Sequence, residues 1–415
     1  MKWICSQIGA REHYAIPRAL HPSGKLEALY TDIWAGSFWR ALGSCLGRPI
    51  LQTRYHPELE TARVESFNFA TLTDFALGGN LQNNPYEWFL YQGREFGRSI
   101  LDSLINKKRV CWGEIIFFGY DTGFLEPALW VKNKGGKSIV CQMDPSRMEI
   151  ELVMEEERLW PGWSKKLIKV PEVYLRRRER EWTVADIVVV NSEWTKTALS
   201  RQGVPESKIH VIPLAYETTI RLSQSTGVLS RDKNSPQIIS IKAPIRVLFL
   251  GQVILRKGIQ YLIEAAAILQ NQPVIFDVVG PLGITEMAIK TAPSNMIFHG
   301  PISRIQATKY FADARIFVLP TLSDGFAITQ LEAMAHGLPV ITTANCGKVV
   351  TDGIDGLIVP TRNAIALADA IRSLIDDPAK LESMSIAARE KSESFTLSQL
   401  GKKLAILQNH LMTQP

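Results

Sequence analysis

The sequence predicts an α/β protein made of two doubly wound domains, each a parallel sheet covered by helices. Three observations predict it. Short, wholly apolar runs such as Ile187-Val-Val-Val190 and Ile115-Ile-Phe-Phe118 recur along the chain, as expected of strands buried on both faces. Segments of helical periodicity alternate with such runs in both halves. A chain of 415 residues is also too long for one ordinary core and suits two domains.

In order, the first half opens with a strand over 3–8 and the turn Gly9-Ala10-Arg11-Glu12-His13-Tyr14. A glycine there lets another group approach the backbone. Strands follow over 49–52, 115–118, 138–143, 187–190 and 209–212, with helices over 86–104 and 124–132. Asn191-Ser192-Glu193 reads as a helix cap. Residues 217–243 are polar and aperiodic, which reads as a linker or loop between domains. The second half places strands over 245–250, 274–279, 296–299, 315–319, 340–342 and 357–359. Between them, Ile259, Leu262, Ile263 and Ala266 form one helical stripe, and a helix spans 304–312. Helices near 364–376 and 379–394 precede a final helix from 397.

Composition narrows the class. With 46% hydrophobic and 21% charged residues, the balance is that of a globular protein. A net charge of +6 leans toward an anionic ligand or an anionic membrane surface. Five scattered cysteines without a Cys-x-x-Cys pair suit reduced thiols in the cytoplasm. The N-terminal apolar run is too short for a signal peptide, and no apolar run of about 18 residues occurs. Residues 160–180 hold Trp160, Trp163, Lys165, Lys166, Lys169 and Arg176-Arg177-Arg178-Glu179-Arg180. That segment reads either as a contact for anionic lipid or as a solvated helix face with buried tryptophans.

Two motifs in the second half carry chemistry. Arg256-Lys257-Gly258 lies between a strand and a helix. Cations at a helix start oppose its dipole, so the pair suits a bound diphosphate, with Arg giving a two-pronged contact and Lys a point charge; the alternative is a solvated basic pair. Asp324 sits on the loop after strand 315–319, and Glu332 stands eight positions on in a helix closed by Gly337 and Pro339. Carboxylates accept from sugar hydroxyls. Thr329-x-x-Glu332 also reads as a capping box, with Thr329 capping the helix. Lys-Gly without Gly-Lys-Ser/Thr is not a phosphate-binding P-loop, and no Gly-x-Gly-x-x-Gly follows a strand. Asp-x-Asp is missing and the seven histidines are scattered, so no metal site is expected; His13, on the glycine turn, is the histidine best placed to reach a ligand.

With Arg256-Lys257-Gly258 and Asp324-x7-Glu332 together, the chain resembles family 4 retaining glycosyltransferases of the GT-B fold. The resemblance is strongest over 245–395, fair over 183–217 and weak before that. It implies two Rossmann-like domains facing across a cleft: an acceptor domain over 1–216, a linker over 217–243 and a nucleotide-sugar domain over 244–396, with a final helix over 397–415 packing back on the first. By position, Arg256 and Lys257 resemble the pair on the donor diphosphate, and Asp324 and Glu332 the acids on donor sugar and ribose. Gly325, Phe326, Ala327 and Ile328 match the loop whose amides face sugar and phosphate. Gly280 and Ile302 fall where the family lines the base pocket, and Gly9 where its first glycine loop stands.

Three positions depart from the family pattern: Asp324 is one methylene shorter than the usual Glu, Gln252 replaces an Arg, and Gln142-Met143-Asp144 stands where a His is common. The resemblance implies metal-independent, retaining transfer of a sugar from a UDP- or GDP-sugar to a glycan or lipid-linked acceptor, with no cofactor and no nucleic acid. A cytoplasmic protein follows, with peripheral contact at the inner membrane face in keeping with the basic segment. A phosphorylase or epimerase on the same fold, and a degenerate scaffold protein in polysaccharide assembly, are the alternatives.

Overall fold

The computed structural model describes residues 1–36, 53–77, 83–107, 110–217 and 244–413. The expected strand over 49–52 and nearly all of the 217–243 linker lie outside these. The chain divides into two compact units: residues 1–147, 168–215 and 397–415, and residues 148–167 with 216–396.

Among the described residues of the first unit, seven strands form one sheet: β1 (Lys2–Gln7), β2 (Leu26–Thr31), β3 (Val64–Ser66), β4 (Ile115–Tyr120), β5 (Lys137–Gln142), β6 (Ile187–Val190) and β7 (Ile209–Val211). Their order is β3-β2-β1-β4-β5-β6-β7, and every pairing is parallel. Because side chains alternate along a strand, each apolar run feeds two cores. Trp3, Cys5, Ile116, Phe118, Ile139, Ile187 and Val189 point to one face. Ile4, Phe117, Val140, Val188 and Val190 point to the other, against Phe96, Ile100, Phe124 and Trp182. Helix Leu397–Thr413 covers the first face with Leu400, Leu404, Leu407 and Leu411, and Gln408 accepts a 2.9 Å hydrogen bond from the Trp3 indole. β2 and β3 have no counterpart among the sequence-predicted strands; β2 (Leu-Glu-Ala-Leu-Tyr-Thr) mixes a charged residue into a run too short to declare its period.

The basic segment splits. Helix Glu172–Val184 buries Arg177 and Arg178, at 6% and 2% exposure, while Arg176 and Arg180 stay exposed. Arg178 pairs with Asp121 at 2.9 Å and Asp144 at 2.6 Å. Arg177 makes a two-pronged contact with Glu126, at 2.8 and 2.5 Å, and donates to the Thr122 carbonyl. Buried guanidiniums survive only when paired and hydrogen-bonded, so these two are internal struts and are not available to lipid.

In the second unit, six strands pair in parallel: β8 (Ile245–Leu250), β9 (Val274–Val279), β10 (Met296–Gly300), β11 (Ile316–Leu319), β12 (Val340–Thr342) and β13 (Gly356–Ile358). Their order is β10-β9-β8-β11-β12-β13. In both sheets the order reverses once, between β1 and β4 and between β8 and β11; open α/β sheets place ligands outside the carboxyl ends of strands at such a switch point.

One boundary differs from the sequence-based division, which kept 148–167 in the first domain. Helix Arg147–Leu159 and its extension belong to the second unit. Fully buried Glu156 accepts from the Tyr261 hydroxyl at 2.9 Å and the Gln260 amide at 2.7 Å, and pairs with Arg362 at 2.6 Å. Trp160 meets Trp163 and Tyr261 edge-on. Ser164 bridges to Ile284, and the Lys165 amide donates to the Gly283 carbonyl at 2.9 Å. These attachments are polar and aromatic contacts between distant segments, which helical periodicity cannot reveal.

Removing the guanidinium from the Arg178 site leaves Asp121 buried without its cation. Arg178→Met is therefore expected to cost about 3–5 kcal/mol of stability in urea unfolding followed by circular dichroism. A loss below about 1 kcal/mol would show that the pair is not a strut.

Candidate functional site

At the switch point of the second unit, β8 runs into Gly251 and then the turn Leu255–Lys257, while β11 runs into the loop 320–328. Gly258 locks the two together. It stands at φ 74°, and a Cβ there would lie 1.9 Å from the Pro320 carbonyl oxygen, so only glycine fits. The Arg256 carbonyl then accepts from the Leu322 amide at 2.9 Å and the Thr321 hydroxyl at 3.2 Å.

This packing brings Arg256, Lys257 and Asp324 into one cluster. Arg256 Nη1 donates to the Ser323 carbonyl at 2.8 Å and lies 3.7 Å from Asp324 Oδ2. The Lys257 ammonium contacts the same Asp324 oxygen. Burial, and after it the positive charge of Arg256, lower the Lys257 ammonium to about 7, opposed by Glu149 and the Cys346 thiol. Its charge is held by the anions around it.

Asp324 also shapes the loop. Its Oδ1 accepts from the Phe326 amide at 3.1 Å, and its own amide donates to the Asn345 carbonyl at 2.9 Å. Phe326 turns its ring into the core at 3% exposure, beside Phe395. Ala327 takes φ 61°, a left-handed conformation uncommon outside glycine. Among the described residues, the amides of Gly325, Ala327, Ile328 and Thr329 donate to no protein group. They follow directly on Asp324, which meets both cations.

The capping box is not formed. Helix Thr329–Ala335 begins one residue earlier than the sequence implies, with Ile328 as the N-cap and no side-chain cap. The left-handed turn at Ala327 already curls the chain into the first turn, so the Gln330 amide reaches the Ala327 carbonyl at 3.1 Å and the Thr329 hydroxyl has no cap to make. Glu332 is thereby released from a capping role. It lies apart from the cation cluster, its carboxyl raised by burial and held down in part by Arg304, 3.6 Å away. Ile302 is half-buried just before the helix that carries Arg304.

Gly280 ends β9, where its amide donates to the Gly300 carbonyl at 2.9 Å. A Cβ at Gly280 would lie 1.8 Å from the Gly251 carbonyl oxygen, so the ends of β8 and β9 approach too closely for any side chain. Gly9 belongs to the other unit. It donates to Asp32 Oδ1 at 2.8 Å, an oxygen that also receives Arg54 at 3.1 Å. A small concavity of about 20 Å³ near it is lined by Ile8, Asp32, Phe67, Thr71, Asp74 and Phe96, among others. The turn after Gly9 holds Glu12, His13 and Tyr14 at φ 52°, 51° and 61°. Three consecutive non-glycine residues in this conformation store strain of the kind found at functional loops. His13 is exposed, and burial lifts the Glu12 carboxyl to about 7.

Sequence reasoning missed Glu149, Ser323 and Asn345 around the cluster. Ser323 and Asn345 border motifs read only at their charged positions, and Glu149 comes from a segment assigned to the other domain.

Residues 244–377 match the family model described as glycosyl transferases group 1. The match lies within the second unit and spans Arg256, Lys257, Asp324 and Glu332. A D-inositol 3-phosphate glycosyltransferase from Arthrobacter sp. (strain FB24) is 30% identical over 178 residues, covering 40% of this chain and 42% of that protein. An amylovoran biosynthesis glycosyltransferase, AmsK of Erwinia amylovora, is 27% identical over 212 residues, covering 47% and 49%. The chain therefore spans less than half the length of these two curated relatives. The crystal structure of Anabaena Alr3699/HepE in complex with UDP superposes with a TM-score of 0.63 at 15% identity, over 99% of this chain and 100% of that one. The two-domain α/β architecture is that of the GT-B fold.

Gly280→Ala forces the ends of β8 and β9 apart. It is expected to cost about 1–3 kcal/mol in chemical denaturation, as overpacking does; an unchanged midpoint would show that the strand ends tolerate a methyl group.

Proposed function

We propose that this protein is a glycosyltransferase that moves a sugar from a nucleoside diphosphate donor to an acceptor hydroxyl, with retention of configuration and without a metal ion. The observation that carries the reading is the Arg256–Lys257–Asp324 cluster beside the open amides of Gly325, Ala327, Ile328 and Thr329. Two cations and a run of amides without protein partners suit a diphosphate, and Asp324, which meets both cations, suits a sugar hydroxyl. UDP in the Anabaena neighbour and the glycosyltransferase names of the relatives support this choice.

In the proposed reaction the bond between the anomeric carbon and the phosphate oxygen breaks as the acceptor oxygen bonds from the same face. The acceptor proton passes to the departing phosphate oxygen. Arg256, Lys257 and the loop amides stabilise the charge that grows on the leaving diphosphate, the largest contribution in such a site. Asp324 orients the donor sugar and Glu332 the ribose. Gly280 and Ile302 border the base. A growing glycan fits the acceptor role, in line with the amylovoran relative. Among the described residues no helix is long and apolar enough to cross a membrane; a lipid-linked acceptor would be met from the membrane surface, with exposed Lys165, Lys166, Lys169, Arg176 and Arg180 as the cations left for anionic lipid.

A screen of UDP- and GDP-sugars in chelator, with mass detection of product, is expected to show turnover. Glu332→Ala should weaken nucleotide binding about tenfold or more by calorimetry, since a hydrogen bond to a charged group is worth roughly 1.5–3 kcal/mol. Absence of any nucleotide binding by the wild type would sink the reading.

The Lys257 ammonium, lowered to about 7, gives a pH signature. Its charged form binds the anion, so affinity for inorganic pyrophosphate should be highest below about pH 7 and fall as pH rises through it. Lys257→Arg cannot deprotonate in this range and should flatten that fall; parallel profiles for the two proteins would remove Lys257 from the anion contact.

A further inference from the structure

Glu149 stands against the same cations, on a helix that the sequence places elsewhere. It lies on Arg147–Leu159, and its Oε2 accepts from the Ser323 hydroxyl at 2.7 Å and from Arg256 Nη1 at 3.4 Å. The carboxylate is mostly buried, at 17% exposure. The helix does not reach this spot by chance, because Glu156, two turns on, is fixed by Tyr261, Gln260 and Arg362. One carboxylate oxygen thus collects a hydroxyl and a guanidinium beside the Lys257–Asp324 contact. Among the described residues, the cations Arg256 and Lys257 face the carboxylates Glu149 and Asp324.

We propose that Glu149 is an internal counter-ion which occupies the place of a donor phosphate oxygen on Arg256 and must yield it when the diphosphate binds. The inference rests on the donor-site reading above. It gives Glu149 two effects of opposite sign. While the site is empty it neutralises Arg256 and accepts from the Ser323 hydroxyl. When a diphosphate arrives, its negative charge opposes the ligand at contact range in a partly desolvated site, where such repulsion is weakly screened. Arg256 keeps its alignment without Glu149, because it also donates to the Ser323 carbonyl at 2.8 Å. Removing the charge therefore removes the competitor without releasing the guanidinium. Gln at this position retains an amide oxygen to accept from Ser323.

The test is calorimetric titration of UDP, GDP and inorganic pyrophosphate into the wild type, Glu149→Gln, Glu149→Ala and Arg256→Ala, with uridine and guanosine as uncharged controls. Glu149→Gln is expected to tighten pyrophosphate and the nucleoside diphosphates about tenfold, as loss of a charge repulsion at contact range predicts, and to leave the nucleosides within twofold. Tightening should shrink in high salt. Glu149→Ala should behave alike, so a folding failure of one variant leaves the other to decide. If the wild type binds a diphosphate and Arg256→Ala abolishes it, but the Glu149 variants bind equally or more weakly, the counter-ion inference is overturned while the donor-site reading stands. Shifts of equal size for nucleosides and diphosphates would also overturn it, since they mark a structural role. If the wild type binds none of the three phosphates, the donor-site reading fails and this inference falls with it.

Discussion

The close approach of Gly258 to the Pro320 carbonyl is the contact on which the candidate site depends. Two distant chain segments, around Gly258 and Pro320, meet there without a side chain between them. The consequence is geometric. With the turn Leu255–Lys257 pressed on loop 320–328, the Arg256 carbonyl becomes the acceptor for Thr321 and Leu322, and the Arg256 side chain is left to bond Ser323. Cations from one loop and an acid from the other are then adjacent by construction. Parallel strands alone would bring the two loops to the same edge of the sheet; they would not set them at hydrogen-bonding distance.

The segment 148–167 gives that edge a third wall. A fully buried carboxylate is costly unless each oxygen is satisfied, and Glu156 meets the condition with three donors from two separate parts of the second unit. Such an anchor is directional, so it fixes the rotation of its helix as well as its position. Glu149 lies seven residues earlier, two turns along nearly the same face, and is aimed at Arg256 for that reason. The carboxylate that seals the helix and the one that meets the site are thus coupled through the helix itself.

The legible part of this chain was that which follows from period and punctuation. Wholly apolar runs located β6, β11 and most of β4, because a strand covered on both faces needs no polar alternation; β8 and β9 carry one charged residue each, Arg246 and Asp277, in otherwise apolar runs. Arg256, Lys257 and Asp324 were legible as chemistry because their charges are out of place at strand ends, and the structure brings them together. Two kinds of feature were not legible. The spacing of Thr329 to Glu332 predicts a cap, but the left-handed turn at Ala327 starts the helix earlier, and no residue type announces that conformation at an alanine. The membership of 148–167 was hidden because it rests on Glu156, Trp160 and Ser164 finding partners about a hundred residues away or more. Arg177 and Arg178 were part of a basic run whose burial depends on Glu126, Asp121 and Asp144, acids scattered over the preceding sixty residues.

The departures at Gln252 and Asp324 are best understood together. Gln252 is exposed and brings no charge to the cluster, so the cations available beside the open amides are Arg256 and Lys257. A shorter acid at 324 matters in that setting. Asp324 uses one oxygen to fix the Phe326 amide and the other to meet Lys257, so it is committed to loop shape and to charge balance at once. A longer side chain would project further into the mouth of the site and leave the loop amide unmet. The arrangement reduces positive charge and uses what remains in tightly held contacts. Glu149 belongs to the same arrangement: a carboxylate on Arg256 neutralises that cation before the ligand arrives, at the cost of competing with the ligand.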